Sequence, residues 1–475
     1  MRLQLVTKDK DTHNNKILLS IKILSVILFV LGVFHNFLND NFIWVINGGT
    51  YSEIYYHNTD ILQSLLRWGL VLGIVICPVA AFFKTRVIKN FVIYFCAPIA
   101  ILCFVFYGDF LNYFTTDSGR AIFAPSYIRH IEFSLILVLM ITIALLLRFG
   151  TKHKFNVQDK KEWINFFCLL PLILLLVMPV YLPQSLFGFT NIFMTPFSLP
   201  NIIWMVAIVA LLIALYFIYR FKDKQTRTMI CILLALYLFY HYNSIYLMDL
   251  LMSRLPFQLC NLGAYLIIVA LICRKQWFFN FVLLANVPGA LIAVCVPDVS
   301  QGILSFWNIH FYIEHTWVFI IPLLAVALRV MERPKLSAIK SFVIGFSIYF
   351  IFCVTSGLIA NAFLYDPNVM FFNKVNYFYL FDTTVLKVMS FLNFSHVVSL
   401  TLNGYVFYPM YMLTIYILYM AYCMGFLYVY KQFIKIGDDH FKLRQIRIDL
   451  MTEKGKYKNK KTPQKTYNEE GEQLC

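Results

Sequence analysis

Long apolar runs alternate with short polar stretches from about residue 18 to residue 430. Each run holds about twenty residues, long enough for a helix to cross a hydrocarbon core of roughly 30 Å. The pattern predicts twelve spans, near 18–39, 61–83, 88–107, 130–149, 162–183, 200–219, 228–250, 256–273, 277–297, 311–331, 339–364 and 406–430. The fold class is therefore all-α, a polytopic transmembrane helix bundle. The polar start before residue 18 leads into a run with no small-residue cleavage pattern after it, which reads as a retained helix rather than a signal peptide.

The basic residues supply an independent test of that count. Taken loop by loop, Lys and Arg alternate between many and few, and the alternation never breaks. With charges at the very ends of spans counted in the adjoining loops, it places 33 on one face and 5 on the other, and Lys22 and Arg67 lie deeper inside spans. By the positive-inside rule the rich face is cytoplasmic. Both termini are then expected in the cytoplasm, with the chain in the cell membrane.

Composition agrees with this reading. The chain is 60% hydrophobic, only 13% charged, and has a mean hydropathy of +0.71, whereas soluble domains carry about a quarter charged residues. The net charge of +16 faces anionic lipid headgroups, so no nucleic acid partner is called for. Residues 433–475 form a basic tail, polar enough to be disordered. Trp44, Trp68, Trp163, Trp277 and Trp307 lie at or near span ends, as an interfacial belt expects. The eleven cysteines show no CxxC spacing, so neither a disulfide framework, a metal site nor a cofactor is expected.

An internal echo links the halves. Asn90-Phe91-Val92 and Asn280-Phe281-Val282 each open a span, followed eight residues on by Pro98 and Pro288, then by Ala100 and Ala290. Tyr127-Ile128-Arg129-His130 is matched by Tyr312-Ile313-Glu314-His315. The matched spans are six apart, which reads as a degenerate six-plus-six duplication in the same sense. Such a duplication also suits a transporter with its site between the halves.

The chemistry-bearing stretch is Leu255-Pro256-Phe257-Gln258-Leu259-Cys260-Asn261, at the start of span eight. A proline suits the first turn of a helix, which puts Cys260 in that turn, where the dipole favours a thiolate. His315 heads span ten, which enters from the same face, and an imidazole is the usual base for such a nucleophile. At 1.5 Å per residue both lie roughly 6 Å inside their helices, near the headgroup boundary. Gln258, Asn261, Asp298 and Glu314 are candidates to bind substrate, and His310 could orient the imidazole. Asn280 and Asn286 read as interhelical glue, and Arg67 is a suggestive intramembrane charge.

From about residue 200 to 432 the chain resembles the YwaF-like family of seven-helix membrane proteins. The resemblance rests on Leu255-Pro256-Phe257-Gln258-Leu259-Cys260, Pro288-Gly289-Ala290, Val296-Pro297-Asp298, His315 and Asn376-Tyr377-Phe378-Tyr379-Leu380. It implies a phospholipid-dependent acyltransferase, because a eukaryotic branch acts on ether lysophospholipids. It also implies that Cys260 carries the acyl chain, that His315 is its base, that Asn376 is a candidate to bind substrate, and that membrane phospholipids are the partners. Residues 1–199 are then an N-terminal transmembrane extension (spans one to five), residues 200–432 the seven-helix core and residues 433–475 the tail. A transporter, or a structural membrane protein without catalysis, is the alternative.

Overall fold

The computed structural model describes residues 2–39, 61–107, 126–176, 187, 190–246, 251–297, 302–382, 385–386 and 390–432. Each of the twelve apolar runs is helical over most of its described residues. They are α1 (Arg2–Asn39), α2 (Ile61–Phe82), α3 (Arg86–Val105), α4 (Ser126–Leu145), α5 (Lys160–Leu176) and α6 (Leu199–Tyr219). The second half holds α7 (Lys224–Tyr246), α8 (Leu259–Cys273), α9 (Gln276–Cys295), α10 (Phe306–Ala327), α11 (Ala338–Ile359) and α12 (Pro409–Gln432). Among the described residues eight helices are long and apolar enough to cross a membrane by length and composition, and two shorter apolar helices accompany them, α8 and the Trp68–Phe82 part of α2. The molecule is an all-α helix bundle of polytopic type. Its one described sheet is a hairpin of β1 (Leu400–Leu402) and β2 (Tyr405–Phe407).

Packing repeats with the sequence echo. In the first half α1 packs on α2 and α4, α2 on α3 and α4, and α3 on α4 and α5. In the second half α7 packs on α8 and α10, α8 on α9 and α10, and α9 on α10 and α11. The two sets coincide when helix numbers are shifted by six. The echoed asparagines even do related work. Asn90 Oδ1 meets His153 Nε2 at 2.7 Å, in the segment after α4. Asn280 Oδ1 accepts from Gln276 at 2.8 Å, and Gln276 is tied to Glu332 in the segment after α10.

The halves meet where α1 and α2 pack on α7, with Phe29 stacked on Phe239 at 6.1 Å. Within the second half α9 is the axis: every residue from Phe279 to Pro288 is buried. A helix apolar on all sides belongs at a bundle centre. Outward faces carry large apolar side chains instead, such as Ile203, Val206 and Phe217 on α6 and Ile348 and Ile351 on α11. Those faces suit lipid tails. Trp163 and Trp277 are exposed near the starts of α5 and α9.

Two boundaries depart from the sequence reading, and both matter for the site. Pro256 is not in the first turn of α8; the helix starts at Leu259 with Gln258 as its N-cap. The preceding backbone is committed elsewhere, since Phe257 O accepts from Tyr349 at 2.8 Å and Met252 O from Tyr377 at 2.6 Å. Helix α10 begins five residues early, at Phe306, because Ser305 caps it through Asn308 N at 3.4 Å.

Candidate functional site

Cys260 is the second residue of α8, and its N-cap Gln258 gives the first turn no side-chain hydrogen bond. The first N–H groups of a helix have no intrahelical acceptor. This end therefore keeps free donors and the positive pole of the dipole beside the thiol. Two glycines fix what faces it. A Cβ on Gly289 of α9 would lie 3.9 Å from Cys260 Sγ and 2.7 Å from Tyr419 Oη of α12. A Cβ on Gly263 would collide with Asn286 Nδ2 and lie 3.4 Å from Val318 of α10. Cys260 and Gly263 thus oppose Gly289 and Asn286, with Val318 level with Gly263.

One turn outward from Val318 on the same face of α10 lies Glu314, with His315 beside it. Spans eight and ten are neighbours, as the site requires, and Cys260 is level with Glu314 and His315. Of these, Glu314 is the group in electrostatic reach of the thiol. His315 is 8% exposed, its Nδ1 donating to Phe311 O at 2.8 Å and its ring packed on Phe311 at 4.1 Å. A carbonyl only accepts, so the neutral ring carries its proton on Nδ1 and Nε2 is the basic nitrogen. Among the described contacts no hydrogen bond joins Cys260 to His315.

A buried polar chain runs away from the thiol. Glu314 Oε2 is 3.4 Å from His310 Nε2, and His310 Nδ1 is 2.9 Å from His241 Nε2 on α7. All three side chains are at most 5% exposed. The Glu314–His310 approach is a close polar contact, and the His310–His241 pair is the hydrogen bond of the chain. The sequence marks His310 as a possible orienting group and His241 as a span-seven histidine facing an unknown partner; their pairing is hidden by the 69 residues between them. Among the described residues no group of His, Cys, Asp and Glu is suited to a metal ion.

The remaining candidates divide by position. Gln258 and Asn376 meet each other: Gln258 Nε2 donates to Asn376 O at 2.7 Å, and Phe378 N donates to Gln258 Oε1 at 2.9 Å. Asn376 Oδ1 accepts from Phe381 N at 2.9 Å. Asn361 clamps Val375 through two bonds of 2.9 Å. The segment 373–381 is thereby stitched over the start of α8, with Phe378 packed on Tyr349 and Tyr419. Asn261 is buried next to the thiol in sequence. Asp298 and the Arg67 side chain lie outside the described residues, as does the tail 433–475.

The first half holds an apolar version of this arrangement. In the echo's register Cys96 corresponds to Asn286 and Ile99 to Gly289. Gly73 faces Cys96, and Gly69 is filled by Ile99. Only the histidine persists, His130, and it sits 3.0 Å from Tyr107 Oη.

Every residue of the polar cluster lies within one matched stretch. Residues 193–428 match the TMEM164 family. That is a family of transmembrane proteins, and the match spans α6 through nearly all of α12, close to the 200–432 segment marked out by sequence motifs. The helices α1 to α5 precede it. No curated protein and no solved structure matched the chain.

Proposed function

We propose that the protein is an integral membrane acyltransferase that uses Cys260 and His315 to move an acyl chain from a phospholipid to a lyso-lipid or another acceptor. One observation carries the reading: a thiol at the uncapped start of α8, level with Glu314 and His315 of the adjoining helix, inside an otherwise apolar bundle. The resemblance to the YwaF-like family, through Leu255-Pro256-Phe257-Gln258-Leu259-Cys260 and His315, supports it. Membrane phospholipids are the partners, and the cell membrane, with both termini in the cytoplasm, is the setting.

In the first step His315 Nε2 takes the Cys260 proton and Sγ attacks the ester carbonyl carbon. A C–S bond forms while the carbonyl π pair moves onto oxygen. Collapse expels the glycerol oxygen, which takes the proton from the imidazolium, leaving a lyso-lipid and a thioester. An acceptor hydroxyl then gives its proton to His315 Nε2 and attacks the thioester, releasing the thiolate. Glu314 and Asn261 bound the substrate on the protein side, and Gln258 and Asn376 hold the segment above it.

The test is metabolic labelling with an alkynyl fatty acid. Hydroxylamine-sensitive label is expected on the wild-type protein and none on Cys260→Ala; His315→Ala should slow labelling by about 10²–10⁴-fold. Label that persists in Cys260→Ala sinks the reading. Transport is the second reading, favoured by the repeated packing of the halves. Its expected site between halves is apolar where Phe29 meets Phe239. Solute uptake by proteoliposomes containing Cys260→Ala would favour transport.

A further inference from the structure

Asn286 is fully buried, and neither its Oδ1 nor its Nδ2 has a hydrogen-bond partner among the described residues. A buried amide left in that state is costly in an apolar setting, so its retention calls for a use. Asn280, one and a half turns away on the same helix, is bonded to Gln276 and serves as ordinary glue. Asn286 does not, and its amide is pressed against Gly263 in the space a Cβ would need. The first half places Cys96 at the same position of the echo, where it packs against Gly73. The amide therefore belongs to the half that carries the thiol.

Geometry gives the use. Gly263 and Cys260 are three residues apart on one face of α8, so the amide lies about 4.5 Å along the helix axis from the level of the thiol. The free N–H groups of the α8 first turn sit on the other side of the thiol. A carbonyl carbon bonded to Cys260 Sγ has its oxygen between these two sets of donors.

We propose that Asn286 is a further catalytic residue, donating through Nδ2 to the oxyanion that forms when Cys260 attacks an acyl ester, together with the first-turn amides of α8. This rests on the acyltransferase reading. As Sγ bonds to carbon, the displaced π pair resides on oxygen, where Nδ2–H and the backbone N–H groups hold it. It returns to rebuild the carbonyl as the glycerol oxygen leaves. Donors fixed in a low-dielectric site stabilise such charge without reorganising.

The experiment uses the full-length protein in vesicles of a phosphatidylcholine with an alkynyl acyl chain. It follows the rate of thioester formation on Cys260 together with thermal stability. Asn286→Ala is expected to slow acylation about 10²–10³-fold with little change in the lipid concentration for half-maximal rate. Gly263→Ala serves as the second variant: its methyl displaces the amide, the end of a flexible side chain, so the fold survives while the rate falls. A wild-type acylation rate in Asn286→Ala, or in Gly263→Ala should Asn286→Ala not fold, overturns the proposal while Cys260 still labels. A change in stability alone, with the rate intact, overturns it too by making Asn286 structural. Absence of any thioester on wild-type Cys260 removes the acyltransferase reading itself, and this proposal with it.

Discussion

His153 lies just after α4, outside the spans, with Nε2 2.7 Å from Asn90 Oδ1. Burial first, then the cations Lys89 and Arg86, push its pKa down to about 4. An unfolded chain would protonate this ring near pH 6.5. Between those values the unfolded state binds the extra proton, so the contribution of His153 is full above about 6.5 and is lost as pH falls toward 4. Thermal midpoints measured across pH 4–7 should therefore decline less steeply in His153→Gln than in the wild type. Equal slopes would place His153 outside that response. Asn286 shows at the same scale what sequence leaves open. It and Asn280 are both intramembrane asparagines in one helix, and both read as glue. What separates them is a Gln four residues earlier for one and a glycine on another helix for the other. Cys260 and His315 were expected level because each lay four residues inside its predicted span, yet Cys260 is the second residue of α8 and His315 the tenth of α10; what aligns them is the approach of Val318 to Gly263, a contact between helices that neither stretch displays.

Helix α8 is the element on which the site depends. Its 15 residues rise about 22 Å, short of the roughly 30 Å of hydrocarbon. Helix α9 continues six residues past Gly289 to Cys295, about 9 Å beyond the level of the thiol. Cys260 thus sits below the end of its neighbour α9 rather than level with it. Non-helical backbone fills the difference, and at such depth its polar groups must be satisfied by protein. Gln258, Asn361 and Tyr377 do this. They hold Phe378 and Tyr379 at φ of 54° and 55°, a left-handed conformation that costs of order 1–3 kcal/mol per residue unless its surroundings impose it. Gln258→Ala removes two anchors at once. It should destabilise the segment by about 1–3 kcal/mol, read as faster amide hydrogen exchange across 373–381 while the helices stay protected. Unchanged exchange there would show that Gln258 does not hold the segment. Gln258 and Asn376 entered from the sequence as candidates to bind substrate. Their bond to each other was hidden by the 118 residues between Gln258 and its acceptor.

At the scale of the molecule the short echo of Asn, Pro, Ala and His positions foretold a packing plan that recurs six helices later. Few identities were needed because apolar helices tolerate exchange of one apolar residue for another, so a duplicated plan outlasts its sequence. Chemistry decays faster: Ile99 fills in the first half the place that Gly289 leaves open beside the thiol. The sidedness of the whole chain follows from the same twelve elements and can be tested directly. If each of α1 to α12 crosses once, Lys84 before α3, Asp223 before α7 and Lys335 before α11 share one face, and Asn403 before α12 lies on the other. Helix α8 is the stringent case, because its length alone falls short of the membrane and its connector completes the crossing. A re-entrant α8 would return the chain to its starting face, so Lys335 would switch sides relative to Asp223. Single cysteines replacing Lys84, Asp223, Lys335 and Asn403, placed in a background without exposed Cys273, would report this through a membrane-impermeant maleimide. In right-side-out vesicles only the Asn403 position should react, and in inverted vesicles the other three. Asp223 and Lys335 reacting from opposite sides would break the alternation that the basic loops describe.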